Sequence, residues 1–112
     1  MGEALLSDIG KILYKKINNS EAVIGIIGLG YVGLPLALTF CENDFLVFGI
    51  DMDEKKVTSI LNGKSYLKHI PDERIKSSLD KNKLKVTSSY EEINNIDALI
   101  ICVPTPLTKN KT

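Results

Sequence analysis

Short apolar runs alternate with amphipathic segments along most of the chain. The run at 22–27 is rich in Val and Ile and is bounded by glycine, which is typical of a strand buried on both faces of a parallel sheet. Further strands are predicted at 45–50, 83–87 and 98–103. The segments between them predict helices at 32–42, 53–61 and 72–79 and a short helical crossover at 90–93. This alternation of strand and helix indicates an α/β fold with a doubly wound parallel sheet.

The first twenty residues have a helical pattern of their own. Apolar side chains recur at spacings of three and four, at Leu5, Leu6, Ile9, Ile12, Leu13 and Ile17. We therefore expect residues 1–20 to form an extra amphipathic helix ahead of the main fold. Its apolar side has three candidate partners: the surface of the domain itself, a partner subunit, or a further part of the polypeptide.

The composition is that of an ordinary folded protein. The chain has 112 residues, 44% of them hydrophobic and 25% charged, which fits one small domain or the first part of a larger one. Fourteen basic side chains balance fourteen acidic ones, so no net field attracts nucleic acid or an anionic membrane surface, and we expect neither as a partner. Cys41 and Cys102 lack the close spacing of a zinc or redox motif, which indicates no metal and a reducing, cytoplasmic location.

One stretch has the length of a membrane-spanning helix. Residues 22–41 are twenty consecutive uncharged residues. Four glycines and Pro35 interrupt them, and these helix breakers indicate a strand, a turn and a helix instead.

The residues with the clearest chemistry form the motif Gly28-Leu29-Gly30-Tyr31-Val32-Gly33, between the first predicted strand and the first helix. Gly28 permits a tight turn, Gly30 removes the side chain that would keep the backbone from a pyrophosphate, and Gly33 lets the helix pack close to the sheet. A diphosphate would lie on the amides at the helix N-terminus, where unpaired N–H groups and the helix dipole favour an anion. This is the pattern of a Rossmann-type dinucleotide site; the alternative is that the glycines merely turn the chain.

An acidic residue stands where such a site needs one. Asp51 follows the second strand, eighteen residues after Gly33, where its carboxylate would accept hydrogen bonds from the adenosine ribose. It would repel the 2′-phosphate of NADP, so we predict NAD as the cofactor. Lys55 and Lys56 could touch a cofactor phosphate or ribose, or could be solvated. Two alternatives stay open: an FAD-binding fold, which begins with the same turn, and a helix-capping role for Asp51.

The fourth strand runs into Pro104-Thr105-Pro106. Loops at the carboxyl ends of parallel strands line the ligand crevice, so this one would present Thr105 to the cofactor; the alternative is that the prolines only end the strand. His69 has no nucleophile in a triad arrangement, and we interpret it as a surface or loop-packing residue. Cys41 and Cys102 are likewise interpreted as packing residues.

Three segments together resemble a known family. They are Gly28 to Pro35, Gly49-Ile50-Asp51 and Val103-Pro104-Thr105-Pro106, which are similar to the UDP-glucose/GDP-mannose dehydrogenase family. The similarity covers essentially everything after Ser20. Residues 68–75 and the end of the chain look most like the UDP-N-acetylglucosamine 6-dehydrogenase branch of polysaccharide biosynthesis.

The resemblance implies specific roles for residues of the motif and its partners. It implies that Tyr31 and Val32 contact the cofactor through the glycine turn, that Asp51 binds the adenosine ribose with Lys56 beside it, and that Thr105 touches NAD. It also implies a nucleotide-sugar 6-dehydrogenase, which oxidises the C6 alcohol of a UDP-sugar to the uronic acid with two NAD, through a thiohemiacetal on cysteine. UDP-N-acetylglucosamine is the expected substrate.

The family's nucleophilic cysteine and its helpers lie downstream of the segment that this sequence covers. We therefore expect residues 21–112 to be an incomplete NAD-binding domain, without the central and C-terminal UDP-sugar domains, and the isolated chain to be inactive. The resemblance also implies that the full-length enzyme is a homo-oligomer.

Two other functions stay open. One is another NAD-dependent dehydrogenase of the same fold, of the 3-hydroxyacyl or 6-phosphogluconate type, against which the Val-Pro-Thr-Pro loop argues. The other is a small non-catalytic NAD-binding module. A sheet that ended at its fourth strand would leave an apolar edge and face uncovered, which favours an incomplete enzyme domain.

Overall fold

The computed structural model describes residues 22–102. The helix predicted for residues 1–20 and the loop that carries Thr105 lie outside this part of the chain. The elements, in chain order, are β1 (Val23–Ile27), α1 (Gly33–Glu42), β2 (Leu46–Ile50), α2 (Glu54–Leu61), α3 (Asp72–Asp80), β3 (Leu84–Thr87), a 3-10 helix (Glu91–Asn95) and β4 (Ala98–Ile101).

The strands form one parallel sheet in the order β3-β2-β1-β4. β1 pairs with β2 from Val23↔Leu46 onwards, and on its other side it pairs with β4. The chain thus winds outwards from β1 to β3 and then crosses back to the far side of β1, which makes a switch point between β1 and β4. Ligands of open α/β sheets bind outside the carboxyl ends of the strands at such a point. The predicted Rossmann-type parallel sheet is confirmed.

The core lies between the sheet and the helices that follow β1 and β2. α1 packs on β1 and β2 and against α3. The residues that are buried at this contact include Ile24, Ile26, Leu34, Leu38, Val47 and Ile75, each at most 1% exposed. α1 is mostly apolar because it lies between sheet and helix. Together with β1 and the turn between them it accounts for the uncharged stretch of residues 22–41. No helix within residues 22–102 is long and apolar enough to span a membrane.

The opposite face of the sheet has a thinner cover. Ile96, just after the 3-10 helix, lies on Gly25, where an added Cβ would come within 2.5 Å of the Ile96 side chain. On β4, Leu99 is 41% exposed and Ile101 is 61% exposed. The described residues therefore leave apolar surface open on this face.

The helix boundaries follow from local hydrogen bonds. Asp53 caps α2, because its side chain accepts a hydrogen bond from the N–H of Lys55 at 3.0 Å. Pro71 precedes the first turn of α3 in an extended conformation. The crossover predicted at 90–93 is a 3-10 helix displaced slightly along the chain.

Candidate cofactor-binding site

The turn after β1 depends on a glycine at its first position. Gly28 has a φ of +95°, in the region that only glycine adopts readily. Its N–H donates to the carbonyl of Ile50 at 2.8 Å. A Cβ at this position would lie 2.0 Å from the carbonyl oxygen of Cys102. Gly28 therefore brings the ends of β1, β2 and β4 close together.

The other two glycines of the motif have different surroundings. A Cβ on Gly33 would lie 1.7 Å from the carbonyl oxygen of Gly28, so the start of α1 can approach the turn only without a side chain. A Cβ on Gly30 would meet nothing nearer than the Lys56 ammonium at 4.0 Å. The protein's own packing thus requires glycine at 33 but leaves open space at 30. That space fits a group that must approach the backbone closely, as a pyrophosphate does.

The N-terminus of α1 offers free backbone donors. Within residues 22–102, no hydrogen bond joins the N–H groups of Gly30, Tyr31 or Val32 to a protein acceptor. α1 has no side-chain cap and no acidic residue in its first turn. Unpaired amides and the positive end of the helix dipole therefore occur together at the turn that contains Gly30, which suits an anionic ligand.

Asp51 connects β2 to this turn through its carboxylate. One oxygen, Oδ2, accepts the N–H of Leu29 at 2.8 Å, and the other, Oδ1, accepts the N–H of Asp53 at 2.8 Å. The helix-capping role considered for Asp51 belongs to Asp53. A carboxylate has about four lone-pair positions, so Asp51 keeps acceptor capacity for hydroxyl groups of a ligand.

A loop between α2 and α3, residues 62–71, packs against the glycine turn. Tyr66 in this loop is half-buried, and its hydroxyl donates a hydrogen bond to the carbonyl of Leu29. The Lys56 ammonium lies 5.8 Å from the centre of the Tyr66 ring, within the range of a cation–π contact. Burial, together with the charges of Asp51 and Asp53, raises the pKa of Tyr66 far above its usual value, so the phenol remains a donor. Sequence reasoning missed Tyr66.

The same loop carries His69, whose ring stacks on Tyr31. The ring centroids are 6.4 Å apart and the planes are 1° from parallel. Tyr31 is 79% exposed and Val32 is 66% exposed, so the motif's two central side chains point away from the core. His69 is an exposed residue, as expected from its sequence, but its contact is with the glycine motif.

The two cysteines lie in the packed part of the fold. Cys41 is 0% exposed in the core, and burial raises the pKa of its thiol to about 11. Cys102 is partly buried, and its N–H donates to Ile27 at the end of β1. Among residues 22–102, no three His, Cys, Asp or Glu side chains are grouped so as to hold a metal ion.

A separate cavity of about 240 Å³ lies beside β3 and the 3-10 helix. Its lining includes Phe48, Lys85 and Glu92 and no residue of the glycine motif. The free amides and the Asp51 carboxylate do not line this cavity. The candidate site is therefore defined by its hydrogen-bond donors and acceptors and not by an enclosed cavity.

Comparison with known proteins agrees with this geometry. Residues 22–112 match the UDP-glucose/GDP-mannose dehydrogenase family, NAD binding domain. The UDP-N-acetyl-D-mannosamine dehydrogenase of Pyrococcus horikoshii is 37% identical over 86 residues, which are 76% of this chain and 21% of that protein. The UDP-N-acetyl-D-glucosamine 6-dehydrogenase of Salmonella typhi is 38% identical over 91 residues, which are 81% of this chain and 20% of that protein.

A solved structure is similar as well. The GDP-mannose dehydrogenase of Pseudomonas aeruginosa has a TM-score of 0.73 at 30% identity, covering 80% of this chain and 21% of that one. The chain spans about a fifth of the length of each of these three relatives. The resemblance drawn from the glycine motif and Asp51 is confirmed, and the cofactor of the matched domain is NAD. The chain belongs to the UDP-glucose/GDP-mannose dehydrogenase family, in which it corresponds to the NAD-binding domain.

Proposed function

We propose that this chain is the NAD-binding part of a UDP-sugar 6-dehydrogenase. The observation that carries the proposal is the open space at Gly30, in a turn that has free amides on one side and is bonded to the Asp51 carboxylate through Leu29. In a dinucleotide, the pyrophosphate can accept hydrogen bonds from the free amides, and the neighbouring ribose hydroxyls can donate to the carboxylate.

The pyrophosphate would lie on the free N–H groups of Gly30, Tyr31 and Val32. Gly28 and Gly33 hold this turn in place, and Gly30 leaves it accessible. The Lys56 ammonium lies close enough to Gly30 to add positive charge on the same side. These donors belong to the backbone of a turn that the close contacts at Gly28 and Gly33 constrain, so binding an anion costs little conformational entropy.

The adenosine ribose would lie against Asp51. Its carboxylate, just after the end of β2, is fixed by two N–H donors. A fixed carboxylate there can accept hydrogen bonds from the two ribose hydroxyls, and its negative charge repels a 2′-phosphate. Both effects support NAD over NADP as the cofactor. Thr105 would contact the cofactor from the loop after β4, a role that rests on the family resemblance.

The substrate that we propose is a UDP-activated N-acetylamino sugar. Relatives named for N-acetylmannosamine and for N-acetylglucosamine both match the chain at similar identity. UDP-N-acetylglucosamine, expected from the sequence, is the first compound to test and UDP-N-acetylmannosamine the second. NAD would be the hydride acceptor, and the complete enzyme would convert the C6 alcohol and one water molecule to the carboxylate, reducing two NAD to NADH per sugar.

The residues described here bind and orient the cofactor. Cys41 cannot supply the nucleophile, because it is fully buried and its raised pKa keeps it as a thiol at neutral pH. Cys102 lies at the end of β4, where its N–H is hydrogen-bonded to Ile27. The family resemblance places the nucleophile downstream of this segment, so we expect no turnover from the 112-residue chain alone.

A titration of the 112-residue chain with NAD, NADP and FAD tests the cofactor proposal. We expect the chain to bind NAD with low affinity and to bind NADP and FAD with still lower affinity. The product of the reading frame that contains this chain is then assayed with NAD and each UDP-sugar. Two NADH per sugar would support the dehydrogenase, whereas NAD binding without turnover would support a non-catalytic NAD-binding module. Absence of NAD binding in both proteins would refute the proposal.

A further inference from the structure

The backbone of Leu29 is held on both sides of its Cα. Its N–H donates to Asp51, and its carbonyl accepts the hydroxyl of Tyr66 from the loop between α2 and α3. Its side chain is 0% exposed and lies against Gly49, where an added Cβ would be 3.1 Å away. Leu29 is therefore fixed by packing and by two hydrogen bonds, one residue before the open position at Gly30.

The hydrogen bond from Tyr66 to the Leu29 carbonyl also affects Gly30, the residue after Leu29. The carbonyl of Leu29 and the N–H of Gly30 belong to one planar trans peptide, so they point in opposite directions. A donor that holds the carbonyl therefore also sets the direction of the Gly30 N–H. That N–H is the first of the three amides for which residues 22–102 offer no acceptor.

The Tyr66 ring acts on the same place through a second contact. The Lys56 ammonium lies 5.8 Å from the ring centre and 4.0 Å from the position of a Cβ on Gly30. The ring thus holds a positive charge beside the open space at Gly30. The hydroxyl of Tyr66 acts on the peptide that precedes Gly30, and its ring acts on the ammonium group nearest to a Cβ there.

We propose that Tyr66 is a positioning residue for pyrophosphate binding, which holds the Leu29–Gly30 peptide and the Lys56 ammonium in the arrangement that a bound diphosphate needs. The inference rests on the proposed NAD-binding function. It assigns to the 62–71 loop a part in the cofactor site, although this loop lies far from the glycine motif in sequence.

The test compares the chain with two variants that undergo the same chemical change. Tyr66→Phe removes the hydroxyl and keeps the ring over which Lys56 lies. Tyr90→Phe is the control, because Tyr90 is an exposed tyrosine outside the glycine turn and the 62–71 loop. Affinities are measured for NAD, for ADP, and for adenosine, which has a ribose but no phosphate. Amide hydrogen exchange of Leu29 and the unfolding temperature are measured without ligand.

We expect Tyr66→Phe to weaken NAD and ADP binding by roughly three- to tenfold, the effect of one ordinary hydrogen bond, and to change adenosine binding by less than about twofold. The Leu29 amide should exchange faster in this variant, and Tyr90→Phe should leave every quantity unchanged. The contrast between ADP and adenosine separates a positioning role from a general loss of structure.

Three outcomes would overturn the inference. Unchanged ADP and NAD affinity in Tyr66→Phe would show that the hydroxyl does not position the peptide. Equal losses for ADP and adenosine, with a lower unfolding temperature, would show a packing role only. If the wild-type chain bound neither NAD nor ADP, the proposed function itself would fail, and the inference with it; the first two outcomes leave that function intact.

Discussion

The N–H of Leu29 donates a 2.8 Å hydrogen bond to the carboxylate of Asp51, so the residue proposed to bind the ribose also holds the turn proposed to bind the pyrophosphate. The second oxygen of the same carboxylate accepts the N–H of Asp53, where α2 is about to begin. Asp51 therefore has a structural role that its position after β2 did not reveal. Substitutions of Asp51 must be evaluated for protein stability as well as for cofactor binding.

The variants Asp51→Ala and Asp51→Asn distinguish the structural role of Asp51 from its proposed role in ribose binding. Removing the carboxylate leaves two N–H donors without their acceptor, and we expect Asp51→Ala to lower the free energy of unfolding by about 2 kcal/mol, in the range for hydrogen bonds to charged groups. Asp51→Asn keeps one acceptor oxygen, so its free energy of unfolding should fall by less. It also removes the charge, so the preference for NAD over NADP should narrow. Urea unfolding and cofactor titrations measure both effects; an Asn variant with undiminished preference for NAD would argue against a ribose site at Asp51.

Alanine substitutions at two glycines of the motif should give opposite results. Gly33→Ala places a Cβ 1.7 Å from the Gly28 carbonyl oxygen, so α1 must move, and we expect a loss of at least about 3 kcal/mol in unfolding free energy. Gly30→Ala meets only the flexible end of Lys56, at 4.0 Å, so its stability should change by less than about 0.5 kcal/mol. The new methyl would nevertheless occupy the space for the pyrophosphate.

The measurement for this pair is NAD titration alongside urea unfolding. Gly30→Ala should fold and lose NAD binding, which identifies a residue needed for the ligand and not for the fold. A Gly30→Ala variant that binds NAD as the wild type does would contradict the placement of the pyrophosphate.

The parts of the site that follow local rules could be predicted from the sequence, and the parts that depend on tertiary packing could not. Each glycine of the motif and the acid after β2 stand at fixed spacings from strand and helix ends, so their positions could be read directly. Tyr66 lies in a loop without periodicity, and it meets Leu29 across 37 residues. His69 meets Tyr31 in the same way. An aromatic residue with a polar group, placed in a loop between helices, was the only available signal.

The difference in burial between the two cysteines predicts selective labelling. Cys41 is fully buried, and its pKa of about 11 leaves almost no thiolate at pH 8. Cys102 is less buried. We expect iodoacetamide at pH 8 to modify Cys102 in the folded chain and Cys41 only after denaturation in urea, as read by peptide mass mapping. Cys102→Ser should then show almost no labelling when folded. Rapid modification of folded Cys102→Ser would show that Cys41 is accessible.

Arg74 and Glu42 form a bidentate ion pair that joins α3 to α1. The Nε–Oε2 distance is 2.7 Å and the Nη2–Oε1 distance is 2.9 Å. The side chains are 30% and 41% exposed, so solvent screens the pair, and we expect a coupling energy of about 0.5–1 kcal/mol at pH 7. A double-mutant cycle with Glu42→Gln, Arg74→Gln and both together measures it by urea unfolding.

The pH dependence of that coupling follows from the direction of the Glu42 shift. The hydrogen bond from Arg74, and then its charge, holds the pKa of Glu42 below its ordinary value of 4.5. A carboxyl with a lowered pKa in the folded state stabilises that state above the unfolded-state pKa, and the contribution disappears as the pH falls through the folded-state pKa. The coupling should therefore be constant from pH 6 to 8, decline below about pH 4.5, and shrink in 1 M salt. A coupling that persisted at pH 2 or grew with acidification would mean that the two side chains interact through packing and not through charge.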